Sequence, residues 1–178
     1  FDEEFLRNSL FRALLDLYLT SRNNNNRADL LELLRTVDFF FPDTINIPVN
    51  NKNKKTFKLD QIAPANSITH FAHDALGDVI ATKQLAKLIS QRKPTFWHSF
   101  LEGSNKSLVY KVLSEEKIVF FCQTFYGKTT AISGSFLLNH PIYKFPVLFD
   151  LNFDPRELVE LNLRDLKDVY TGGQRFLK

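Results

Sequence analysis

Apolar residues recur at Phe5, Leu6, Leu10, Leu14, Leu17 and Tyr18 along the opening stretch "FDEEFLRNSLFRALLDLYLTS". That spacing is close to one face of an α-helix, and acids in the first turn suit the positive end of the helix dipole. It predicts a helix over residues 1–21 with Asp2 at its mouth. The asparagines from Asn23 to Asn26 favour turns, after which "RADLLELLRTVDFF", Arg27 to Phe40, resumes the helical period until Pro42. Residues 42–58, "PDTINIPVNNKNKKTFK", show no period and read as a surface excursion with a short hairpin. From Asp74 to Gln91 the period returns, with Leu76, Val79, Ile80, Leu85, Leu88 and Ile89 as its apolar face, until Pro94 breaks it. Helical text continues from Phe96 to Leu113. Then the pattern changes: "KIVFFCQTF", "TTAISGSFLL" and "FPVLFDLNF" are β-prone apolar runs separated by Gly127 and Lys128 and by His140 to Lys144. Residues 154–170 read as helix again. Helices followed by strands predict an α+β chain with a boundary near Pro94.

Composition narrows this only slightly. With 178 residues, 44% of them hydrophobic, the chain can bury a sizeable core. Its 23 basic and 20 acidic residues permit nucleic-acid binding without demanding it. Such a mild excess leaves the run Lys52 to Lys55 as a solvated surface. The single cysteine, Cys122, excludes a disulfide within the chain and suits a reducing, cytoplasmic compartment; in "KIVFFCQTF" it reads as a small buried strand residue. No apolar run approaches the ~18 residues of a membrane span, so no membrane partner is expected. The chain has no methionine and starts at Phe1, which reads as a slice of a longer polypeptide or a processed product.

Candidate chemistry concentrates at "HDALGD", His73 to Asp78. Asp74 precedes the apolar period and is placed to cap the helix. Asp78, one turn later, is stabilised by the dipole with or without a further role. Small residues at Ala75 and Gly77 would let a neighbouring layer approach. Trp97 reads as packing, and His70, His98 and His140 show no metal-like clustering.

The fuller string "HDALGDVIATKQLAKL" has histidine, alanine and aspartate as H-x-A-x-x-D. It resembles the third motif of the histidine-containing DEDD superfamily of 3′ to 5′ exonucleases. The resemblance implies that His73 activates the attacking water and that Asp78 binds a catalytic metal. Asp2, in "FDEEFLRN", resembles the second motif, an aspartate where a helix begins. The ordered series "FDEE...RN", "DLLELLR", "FKLDQIAPAN", "HDALGDVIATKQLAKL", "NHP" and "VLFDL" is similar, over nearly the whole chain, to the bacterial exonuclease I family. It implies hydrolysis of single-stranded DNA to 5′-mononucleotides with two Mg2+ ions, Mn2+ being the alternative. Hard carboxylates suit two dications held about 3.5 to 4 Å apart, and a histidine near neutrality suits a proton acceptor.

The same resemblance implies a fold and partners. Residues 1–93 would be the C-terminal half of a ribonuclease H-like exonuclease domain, and residues 94–178 an incomplete SH3-like, β-rich domain. Arg7 and Asn8 would lie near the nuclease cleft, with Tyr126 and Lys128 in a turn suited to stacking and phosphate contact. Single-stranded DNA and the acidic tail of single-stranded DNA-binding protein are the implied partners. The chain departs from the family in its first motif, an aspartate and a glutamate two residues apart upstream of Asp2. Asp150 and Asp154 fall in the wrong domain to replace them. The expectation is a portion of a longer polypeptide, deficient in metal binding by itself. The competing readings are a non-catalytic single-stranded DNA or protein-binding module and an RNA exonuclease of the same superfamily.

Overall fold

Two aspartates start the helices that organise the first part of the chain. The computed structural model describes residues 2–23, 25–70 and 74–165, with Asp2 and Glu157 by backbone alone. In it Asp29 is extended, and its carboxylate accepts from the amides of Leu31 and Glu32. Asp74 accepts from Gly77 in the same way, as its position predicts. Each side chain satisfies amides that a first helical turn leaves without partners. The elements follow as α1 (Asp2–Arg12), α2 (Leu30–Phe40), α3 (Leu59–Ala65), α4 (Ala75–Arg92), α5 (Pro94–Gly103), α6 (Lys106–Glu115), β1 (Val119–Phe125), β2 (Lys128–Asn139), β3 (Pro146–Asp150) and α7 (Arg156–Val159). The chain is α+β, helices first. It divides into two compact units, Phe1–Val112 with Thr124–Thr129, and Leu113–Gln123 with Thr130–Lys178.

The first unit closes around Leu33, Leu34 and Val37 of α2, Ile62 and Ala63 of α3, and Ala81, Leu85 and Ile89 of α4, with Ile45 and Ile68 from the connections. Phe96, Trp97 and Phe100 of α5 pack against that cluster. The buried face of α4 is Gly77, Ala81, Leu85 and Ile89, each four residues from the last. The face expected from the period is only half right, because Leu76, Val79 and Ile80 stand exposed. This helix is apolar on more than one side, so spacing alone could not choose between them. Ala75 is exposed too, and of the two small residues only Gly77 is buried.

Three other elements differ from expectation. The first helix stops at Arg12, not near Ser21: Leu14 takes φ 55°, its amide donating to the Phe11 carbonyl and that of Leu15 to the Leu10 carbonyl. These paired bonds make a Schellman end, normally signalled by a glycine that is absent here. Helix α3 was not expected. Pro64 interrupts its seven-residue period, and burial of Ile62 and Ala63 holds it in place. The expected hairpin is an isolated bridge between Val49 and Lys55, with the Asn50 side chain accepting from the amides of Lys52 and Lys54. Lys55 is not merely solvated, since its Nζ lies 2.8 Å from each oxygen of Asp38.

In the second unit the sheet order is β1-β2-β3. Strands β2 and β3 are antiparallel, paired from Gly134 with Asp150 to Asn139 with Pro146, and the register shifts between Phe136 and Leu138. A Cβ at Gly134 would meet Phe121 Cε1 at 3.1 Å, so the missing side chain lets that ring lie on β2. The turn into β3 is held by His140, whose Nδ1 accepts from the amides of Ile142 and Tyr143. Asp154, before α7, is paired with Arg156, whose guanidinium holds its carboxyl below the ordinary value. Of the helix expected over 154–170, α7 and a turn at residues 163–165 are described; the rest lies outside the described residues.

Candidate catalytic and nucleic-acid-binding site

Asp78 sits in the first turn of α4, four residues after the capping Asp74, and its amide donates to the Asp74 carbonyl at 2.9 Å. Its Oδ1 lies 2.6 Å from Nε2 of His70, and its side chain stays half exposed while the His70 side chain is only 3% exposed. A carboxylate only accepts, so Nε2 carries the proton in this pair. His70, which shows no metal-like clustering along the sequence, is therefore a functional candidate through this contact. The signal available was a second histidine in "HFAHDALGD", eight residues ahead of the aspartate.

His73 lies outside the described residues, and Asp2 is known only as the first residue of α1. Among the described residues no group of three or more His, Cys, Asp or Glu side chains is placed to hold a metal ion. Asp78 itself fits a hard dication, because it offers a carboxylate oxygen on an accessible side chain. A cleft of about 500 Å3, lined by Asp38, Asp43, Asn46, Lys55, Asn66 and Arg92 among others, includes none of the expected site residues.

Arg7 and Asn8 are both exposed on α1. Arg7 Nη2 donates to Glu3 at 2.9 Å, and Glu3 also pairs with Arg27. The guanidinium carbons of Arg7 and Arg22 lie 5.7 and 5.3 Å from the centroid of the Tyr18 ring. Three arginines thus gather around Glu3 and Tyr18, of which the sequence reading named one. Arg22 and Arg27 bracket the asparagine run as "RNNNNR", a place where a turn brings two charges together. Tyr126 and Gly127 form the two-residue link between β1 and β2, with φ of 49° and 76°. Two successive positive φ values are the signature of a type I′ hairpin turn, which matches the strand twist. Tyr126 is fully exposed at its tip, Lys128 follows it, and Thr124 and Thr129 meet across its base with their hydroxyl oxygens 3.1 Å apart.

No protein-family model matches the chain. Exodeoxyribonuclease I of Buchnera aphidicola subsp. Baizongia pistaciae is 32% identical over 99% of this chain, which spans 40% of that relative. Exodeoxyribonuclease I of Escherichia coli is 38% identical over 60% of the chain and 23% of its own length. Among solved structures, exonuclease I from Methylocaldum szegediense superposes with a TM-score of 0.75 at 30% identity, over 100% of this chain and 39% of its own. E. coli exonuclease I in complex with a dA16 oligonucleotide gives 0.72 at 29%, over 100% and 40%. A structure described as an ExoI/SSB-Ct complex gives 0.71 at 29%, over 99% and 40%. Scaffold and sequence together place the chain among α+β proteins similar in fold to exonuclease I. Within that group the chain is similar along 99% of its length to exodeoxyribonuclease I of Buchnera aphidicola, of whose length it spans about two fifths.

Proposed function

We propose that this chain works within a metal-dependent exonuclease that removes nucleotides from the 3′ end of single-stranded DNA and releases 5′-mononucleotides. The observation that carries the reading is likeness along the whole chain to exonuclease I, including a structure holding an oligonucleotide. Asp78, accessible on a capped helix, supports it at the level of the site. In this reading Asp2 and Asp78 are two of the carboxylates that hold Mg2+, or Mn2+ in its place. Bound metal supplies an acidified water and neutralises phosphate charge. His73 takes the proton from the attacking water.

The basic residues of α1 position the strand. An exposed ion pair such as Arg7 with Glu3 is worth about 0 to 1 kcal/mol, so the guanidinium exchanges its carboxylate for a phosphate at little cost. Asn8 lies on the same helix. Tyr126 offers a ring for base stacking and Lys128 a cation for the backbone. The domain assignment belongs to the same proposal: residues 1–93 as the C-terminal half of a ribonuclease H-like domain, and 94–178 as an SH3-like domain. The exposed Leu76, Val79 and Ile80 of α4 support the first part, since a layered fold covers both sides of such a helix. The acidic tail of single-stranded DNA-binding protein is proposed as a partner on the strength of the ExoI/SSB-Ct complex, and the cytoplasm as the compartment.

The test is degradation of 3′-labelled and 5′-labelled single-stranded DNA with and without Mg2+, using His73→Ala and Asp78→Ala variants. Loss of the 3′ label first, dependent on Mg2+ and abolished in both variants, is the expected result. DNA bound but left intact would make the chain a non-catalytic binding module. Faster loss of ribose than of deoxyribose substrates would mark an RNA exonuclease.

A further inference from the structure

A half-exposed aspartate near the start of a helix needs no histidine to stabilise it, because the helix dipole and solvent already do so. Yet His70 is spent on Asp78. Its imidazole is almost entirely buried, and the ring hydrogen bond goes to this one carboxylate oxygen at 2.6 Å, at the short end for a charge-assisted bond. The ring's position is set from the core. Ile68, two residues earlier, is buried in the main cluster and its amide donates to the Ala63 carbonyl at 2.9 Å. The other partner is equally fixed, since Asp74 caps α4 and the Asp78 amide continues the helix from it. Two anchored segments therefore meet in a hydrogen bond that restricts the torsions of the Asp78 side chain.

We infer that His70 is a positioning residue, whose buried imidazole holds the Asp78 carboxylate in the orientation in which it takes a divalent cation. This rests on the reading of Asp78 as a metal ligand. The ring supplies a donor and does not itself coordinate; Oδ1 is its acceptor, and about half of the Asp78 side chain stays exposed. Partners that orient a ligand in this way typically contribute about 10- to 100-fold to metal affinity.

The experiment is a Mn2+ titration of the 178-residue chain, carried into the millimolar range that a site short of its other carboxylates needs, read from paramagnetic broadening of the Gly77, Asp78 and Val79 amide signals. It compares the wild-type chain with the Asp78→Asn, His70→Leu and His70→Gln variants. Wild-type broadening that disappears in Asp78→Asn establishes the ligand. Broadening absent from the wild type, or unchanged in Asp78→Asn, overturns the ligand reading and the inference with it. With the ligand established, His70→Leu is expected to need about 10-fold more Mn2+ or higher for the same broadening. His70→Gln, whose amide still donates, is expected to recover most of that loss. Equal broadening in His70→Leu and wild type overturns the inference alone. Should His70→Leu not fold, the wild-type imidazole decides: long-range 15N–1H correlations must show the Nε2–H tautomer, and a proton on Nδ1 with bare Nε2 overturns the proposal.

Discussion

Tyr126 is held where a side chain is sterically unwelcome. A left-handed conformation costs a non-glycine residue about 1 to 2 kcal/mol, and asparagine bears it better than tyrosine. The hairpin nevertheless puts a fully exposed ring at its tip. Tyr126→Asn is therefore expected to leave stability to denaturant unchanged or slightly raised. If the ring stacks on a base, the same change lowers affinity for single-stranded DNA by about 1 to 3 kcal/mol, measured by fluorescence anisotropy. Equal affinity with equal stability would make the ring ordinary surface. The residue scale also shows where a sequence is silent: nothing around Leu14 announces a left-handed position, so the end of α1 could not be placed from its text.

Among the elements, α4 matters most, because it carries Asp78 on one side and core residues on another. Its register is set by Asp74, whose carboxylate accepts from the Gly77 amide at 2.9 Å. Asp74→Ala is expected to cost about 0.5 to 2 kcal/mol in urea denaturation, and Asp74→Ser to recover most of that. An unchanged midpoint in Asp74→Ala would show that packing alone fixes the helix start. The cap was legible because a polar side chain directly before a helical period is a local signal. Helix α3 was not, because its seven residues contain a proline and its stability comes from burying Ile62 and Ala63 against elements distant in the chain.

For the molecule as a whole, the two sides of α4 make opposite predictions. Leu85 is fully buried, so Leu85→Ala is expected to destabilise the chain by about 2 to 5 kcal/mol. Val79, 63% exposed, contributes little, and Val79→Ser is expected to change stability by no more than about 0.5 kcal/mol. Denaturant midpoints of the two variants check this. Similar losses in both would mean that the exposed side of α4 is covered in solution, as a layered exonuclease domain would cover it.

By itself the sequence determined what local chemistry can determine. Helical periodicity and apolar β-prone runs separated helices from strands, Asp74 and Pro94 bounded α4, Gly127 marked the hairpin, and the order of short motifs pointed to exonuclease I. Only the tertiary structure decided which side of α4 is buried, that α1 ends at Arg12, that α3 forms, and that Asp78 is held by His70 and Glu3 by Arg7 and Arg27. Each of those outcomes is settled by residues that meet across turns or between elements. A pattern read along the chain records spacing, whereas burial and pairing depend on what the folded backbone brings within a few ångströms.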